Sequence, residues 1–182
     1  MKFPKIICTA LALTSLSAFA DDDNALAALA LQRANYSLEQ AIEKVNSEYA
    51  GHIIEFEVDD YKNQATYEIE VINLVKEEKY KLQLSLENGE VLKEKNKNIK
   101  TLGINHLDED ELFALNELQT SDFKLSNKIA LLKEKYMANI IEFELESKKG
   151  ITFYKFKMMG EQGIKRVLVD IKSGNIIPVM SH

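Results

Sequence analysis

The stretch HIIEFEVDD, residues 52–60, returns 87 positions later as NIIEFELES, residues 139–147. In the first copy Ile54, Phe56 and Val58 alternate with Glu55 and Glu57. A period of two places the apolar side chains on one face of a strand and the glutamates on the other, so each copy reads as a half-buried strand. The match extends in both directions. ATYEIEVI (65–72) falls on TFYKFKMM (152–159) without a gap, pairing Tyr67 with Tyr154 and Ile69 with Phe156. Upstream, Leu38, Ile42, Val45 and Tyr49 fall on Leu125, Ile129, Leu132 and Tyr136, and ALAALALQ (25–32) falls on LFALNELQ (112–119). Downstream, after a shortening of two residues, LQLSLENGEVL (82–92) falls on VLVDIKSGNII (167–177). Two copies are too few for a solenoid, and the pattern is that of a tandem duplication. Residues 25–92 form the first unit and 112–182 the second, more divergent one, with 93–111 expected as a linker.

Within a unit, Leu38, Ala41, Ile42, Val45 and Tyr49 recur at helical spacing. Ser37 and Gln40 have the spacing of a capping box at the start of that helix. The segments TYEIEVI and YKLQLSL alternate as strands, and turn residues at Asp59, Asp60, Asn63, Asn88 and Gly89 keep the connections short. Short connections between alternating segments favour antiparallel pairing. The expected fold class is α+β: two tandem repeats, each a short helix plus an amphipathic helix packed on a small antiparallel sheet.

The first 20 residues have the form of an export signal. Lys2 and Lys5 precede an apolar run from Ile6 to Leu16, and Ala18-Phe19-Ala20 supplies a small-residue cleavage site. Cys8 does not fit a lipid-anchor site, because the apolar run follows it instead of preceding it. Cleavage after Ala20 leaves a chain starting at Asp21 with no cysteine, since Cys8 is the only one. The expected location is therefore periplasmic or secreted, with no disulfide to staple the fold and no membrane insertion once the signal is gone. DDDN (21–24) reads as a solvated acidic tail. Without Lys2 and Lys5 the 23 basic residues fall to 21 against 29 acidic ones, a net charge of −8. Such a balance argues against nucleic acid or an anionic membrane surface as the main partner.

The order SLEQAIEKV, IIEFEVDD, TYEIEVI, ENGEVL resembles the PepSY domain, which is found in propeptides of thermolysin-like metallopeptidases. Leu38, Ala41, Ile42, Tyr67, Ile69, Val71, Gly89, Glu90, Val91 and Leu92 occupy the places of that family's pattern. The second copy is more worn: Lys128 stands for the alanine, and Ser173-Gly174-Asn175 for the acidic turn. The resemblance implies a non-catalytic module that, in propeptides, helps to keep a peptidase inactive and to fold it. It has also been proposed to restrain peptidases as a free-standing secreted protein. Every matched residue is a core or turn residue, so the resemblance bears on fold more than on function. No protease domain follows, so restraint would act in trans.

No catalytic apparatus is legible. His52, His106 and His182 lie neither at zinc spacing nor beside a cysteine, and no nucleophile elbow or phosphate-binding loop is present. His52 reads as a polar strand end. LDEDEL (107–112) lacks the spacing of a calcium loop and sits where a helix should start, which favours capping. No metal or cofactor is expected. The two units differ in charge: residues 25–92 carry 6 basic and 13 acidic side chains, and residues 112–177 carry 11 and 8, giving −7 and +3. Glu68 and Glu70 of the first copy become Lys155 and Lys157 in the second; such complementary faces either dock the units on each other or leave one unit to meet a partner, against the plainer reading of two independent solvated faces.

The expected function is that of an exported binding module, not an enzyme, which restrains or modulates a periplasmic or secreted peptidase by steric binding. A protein partner such as a metallopeptidase would meet Glu55, Glu57, Glu68 and Glu70, by the outward face or by strand addition at an edge. The alternative is an envelope sensory or scaffold module that binds a membrane regulator or a small ligand.

Overall fold

The chain passes twice through one order of elements. The computed structural model describes residues 22–102 and 104–179; the export signal read at 1–20 lies outside them. The first half contains α1 (Asp22–Arg33), α2 (Leu38–Glu48), β1 (His52–Tyr61), β2 (Gln64–Asn73), β3 (Glu78–Ser85) and β4 (Val91–Asn98). A small hairpin of β5 (Lys100–Thr101) and β6 (Ile104–Asn105) follows. The second half contains α3 (Glu109–Thr120), α4 (Leu125–Tyr136), β7 (Ala138–Lys148), β8 (Ile151–Gly160), β9 (Gly163–Asp170) and β10 (Ile176–Val179). Helices α1 and α3 start 87 residues apart, as do the helices α2 and α4 and the strands β2 and β8.

Local chemistry sets the helix starts. The Ser37 hydroxyl accepts from the Gln40 amide while the Gln40 side chain accepts from the Ser37 amide, a complete capping box at α2. Asp108 and Glu111 make the same reciprocal pair at α3, so the acidic LDEDEL stretch caps a helix. Helix α2 then buries Leu38, Ala41, Ile42 and Val45 against the sheet.

Three expected boundaries are corrected. The acidic stretch 21–24 is not a free tail from Asp22 onward, because α1 begins there and Asn24 is buried; acidic residues suit the first turn of a helix. The linker expected at 93–111 is largely ordered: β4 stays paired with β3 through Asn98, and α3 starts at Glu109. The two small sheets are one. A single eight-stranded sheet runs in the order β10-β9-β8-β7-β1-β2-β3-β4, antiparallel at every pair.

The halves meet at β1 and β7. Their pairing is short, running from Glu55–Glu144 through Phe56–Phe143 to Glu57–Glu142. By contrast, β1 pairs with β2 from His52–Ile72 to Tyr61–Gln64. Both central strands carry a bulge at the equivalent place, between Ile53 and Glu55 and between Ile140 and Glu142, which bends the ladder there. On the helix-covered face the Phe56 and Phe143 rings stack with centroids 5.2 Å apart, both fully buried. Phe143 also meets Phe156 and Tyr154, and Tyr154 stacks on Phe123. Tyr154 Oη donates to the Ile53 carbonyl across the junction at 2.6 Å, whereas Tyr67 Oη donates to Tyr36 within its own half at 2.8 Å. Above the sheet, Lys133 of α4 pairs with Glu39 of α2 at 2.6 Å.

The worn positions of the second half are compensated. Where α2 has the buried Ala41, α4 has Lys128, whose ammonium donates to the Gly174 carbonyl at 3.1 Å. In the first half the equivalent turn is closed by Tyr36, whose ring lies where a Cβ on Gly89 would stand; with φ at +72° that position favours glycine for its backbone as well.

Truncating the junction should be more costly than removing one hydroxyl. Phe143→Ala is expected to lower unfolding free energy by about 3–5 kcal/mol, and Tyr154→Phe by about 1–2 kcal/mol because the Ile53 carbonyl loses its donor. Urea unfolding curves read both losses. A Phe143→Ala midpoint equal to that of the parent would show that the ring does not join the halves.

Candidate functional site

The alternation that buries Phe56 and Tyr67 under the helices turns the intervening residues to the opposite face. On β2 these are Glu68 and Glu70, on β1 Glu55 and Glu57, and on β7 Glu142, Glu144 and Glu146. The registers line them up. Glu70 lies opposite Glu55 and Glu55 opposite Glu144; Glu68 lies opposite Glu57 and Glu57 opposite Glu142. Two rows of carboxylates therefore cross the middle of the sheet.

Cations bound the rows on both sides. On the first side, Lys81 lies opposite Glu70 in the register, and its ammonium pairs with Glu68 and, at 3.4 Å, with Glu70. Lys79 reaches Glu70 at 2.5 Å. Beyond them β4 presents Lys93, Lys95 and Lys97 in register with Gln83, Lys81 and Lys79. On the second side Lys157 pairs with Glu142 at 2.9 Å, and Lys155 with Glu146 at 2.9 Å and Glu144 at 4.0 Å. The face is thus striped basic, acidic, basic.

These contacts correct the idea that Glu68 and Glu70 dock against Lys155 and Lys157. Each set is satisfied by the neighbouring strand of its own half, and the halves meet along β1 and β7 instead. Glu70 is not a solvated outward residue either. It is only 7% exposed, since Lys79 and Lys81 fold over it.

Glu55 and Glu57 differ from their neighbours. Among the described residues neither makes an ion pair or a side-chain hydrogen bond. Burial pushes the Glu55 carboxyl up to about 7, with Glu70 and Glu144 adding repulsion and Lys81 and Lys79 opposing it. Burial also raises Glu57, reinforced by Glu142, Asp59 and Glu68, and raises Glu144, reinforced by Glu146 and Glu142. Like charges directly opposite each other on neighbouring strands are unfavourable, and partial desolvation strengthens their repulsion.

The four residues singled out from the sequence, Glu55, Glu57, Glu68 and Glu70, lie together on this face. Sequence reasoning missed Glu142, Glu144 and Glu146. The signal for them was the repeat itself, because NIIEFELES copies the glutamates of HIIEFEVDD; what was lacking was that the two strands are neighbours. His52 stands at the start of β1, its imidazole held below the usual histidine range by burial. Among the described residues no three His, Cys, Asp or Glu side chains are grouped to hold a metal ion, and no helix is long and apolar enough to cross a membrane.

Residues 35–95, which contain α2 and β1 to β3 and most of β4, match the family model described as the peptidase propeptide and YPEB domain. This segment is similar to the PepSY domain. The PepSY match ends within β4 and does not extend to the second half. Among solved structures, the chain is similar to one from Clostridium difficile 630, at 17% identity and a TM-score of 0.48, covering 85% of this chain and 98% of that one. It is also similar to the Bacillus megaterium YpeB C-terminal domain, at 16% identity and a TM-score of 0.31, covering 82% and 68%. No curated protein is a significant match.

Direct titration checks the electrostatics. In carbon-detected NMR the Glu55 carboxyl should titrate near pH 7, and Lys81→Met should raise that midpoint because a stabilising cation is lost. A Glu55 midpoint near 4.5, the ordinary carboxyl value, would show that this face is fully solvated.

Proposed function

We propose that the protein is an exported, non-catalytic binding module that restrains or modulates a periplasmic or secreted peptidase by steric binding. The PepSY match at 35–95 supports a module of the kind associated with peptidase propeptides. The observation that carries the choice of surface is the open carboxylate face, on which Glu55 and Glu57 have no cation of their own among the described residues while the flanking glutamates do. A partner's lysine or arginine can satisfy those two groups without first breaking an internal pair. Charge complementarity of this sort contributes mainly to encounter rate and orientation.

The sheet edges favour the face over strand addition. The β1 edge that the first half alone would expose is paired with β7. The outer edges are β4, whose sequence VLKEKNKN alternates lysines, and β10, which spans four residues and contains Pro178. Lysine, proline and short length are the devices that discourage a further strand from pairing.

The test is kinetic. The chain from Asp21 onward, titrated into a metallopeptidase exported by the same cell, should slow peptide hydrolysis to a stoichiometric end point. Glu57→Lys should weaken that inhibition at least about tenfold, equivalent to about 1.4 kcal/mol, and raised salt should weaken the parent similarly. Full peptidase activity at micromolar excess of the protein would contradict the proposal.

A further inference from the structure

The junction between the halves combines the shortest strand pairing among the central strands with the densest like-charge contact. Across it, Glu55 faces Glu144 and Glu57 faces Glu142. From β2, Glu70 faces Glu55 and Glu68 faces Glu57. The cations acting on these groups stand one strand further out: Lys79 and Lys81 on β3, and Lys155 and Lys157 on β8. Asp59 on β1 and Glu146 on β7 add negative charge along the strands. On this face the β1–β7 register sets Glu55 against Glu144 and Glu57 against Glu142, and among the described residues it pairs no lysine or arginine there. What opposes the repulsion is beneath it: the Phe56–Phe143 stack and the Tyr154 to Ile53 hydrogen bond.

We propose that the β1–β7 junction is a pH-sensitive hinge, closed into one continuous sheet when the facing glutamates share a proton and loosened when they are all ionised. Protonation of Glu55 removes one of the two negative charges that the register sets opposite each other at Glu55 and Glu144. Its loss leaves two negative charges side by side at a pairing only three residues long.

The direction follows from linkage. A carboxyl whose value in the folded protein is raised holds its proton more tightly there than in the open state. Its destabilisation is absent below about pH 4.5, grows as pH rises toward 7, and is complete above that. Each such proton changes the closed-to-open ratio by at most about tenfold per pH unit. His52, lowered by burial, acts in the opposite sense, costing stability as pH falls through the ordinary histidine range. It sits on β1 opposite Ile72, and replacing it with asparagine, the residue at the equivalent position 139, removes that contribution.

Spin labels at Glu87→Cys in the β3–β4 turn and Glu161→Cys in the β8–β9 turn, in a Cys8→Ser background, report the separation of the halves. The measured distance distribution should be narrow at pH 5.5 and broaden or lengthen by pH 8.5, in the parent and in His52→Asn alike. In the isosteric double variant Glu55→Gln, Glu144→Gln it should stay narrow throughout. Urea midpoints of the unlabelled proteins give a second readout: the His52→Asn midpoint should fall over this range, and that of the triple variant His52→Asn, Glu55→Gln, Glu144→Gln should not. A distribution equally narrow at both pH values in the parent, or a double variant that broadens as the parent does, would overturn the proposal, as would midpoints that fall equally with and without Glu55 and Glu144.

Discussion

The structure depends on one contact, the stacking of Phe56 on Phe143 beneath a junction of three residue pairs. The buried residues of the two halves form one core, and with the halves apart β1 and β7 would expose two unpaired edges next to apolar side chains. Joining them removes both edges and seals the aromatic cluster of Phe143, Tyr154 and Phe156. The same register that aligns the phenylalanines on one face must align glutamates on the other, because side chains alternate along a strand. The apolar gain and the electrostatic cost of the junction therefore cannot be separated.

Most of the fold was legible in the sequence, and the reasons are local. The capping box at Ser37 and Gln40, the stripe through Leu38, Ala41, Ile42 and Val45, and the alternation in HIIEFEVDD each depend on residues close in the chain. What stayed illegible depends on contacts far apart. Whether β1 would find β7 turns on the shape and burial of Phe56 and Phe143, 87 residues apart, and no local pattern encodes it. The lysine-rich stretch after Val91 looked like a linker because its composition is polar, yet as an edge strand it needs apolar side chains on neither face.

The same distinction applies to the candidate site. The glutamates of β1 and β2 were visible as outward positions, and the hairpin registers bring them together. The carboxylates of β7 join them only through the junction, and the Glu55 carboxyl is raised first by burial, then by Glu70 of its own half, with Glu144 of the other half adding to it. Charge counts of the two halves suggested that the positive one leans on the negative one. In the structure each half neutralises its own strands, Lys79 and Lys81 against Glu68 and Glu70, Lys155 and Lys157 against Glu142, Glu144 and Glu146. Among the described residues, the carboxylates of this face left without an ion pair are the central ones, Glu55 and Glu57.

The central claim is that the halves form one sheet with these carboxylates side by side. Inter-strand nuclear Overhauser contacts measured on uniformly labelled protein at pH 5.5 test it most directly. One sheet predicts contacts between the backbone protons of residues 55–57 and 142–144 and between the Phe56 and Phe143 rings. Contacts confined to β1–β2 and β7–β8, with none between the two central strands, would contradict it and leave two independent four-stranded sheets.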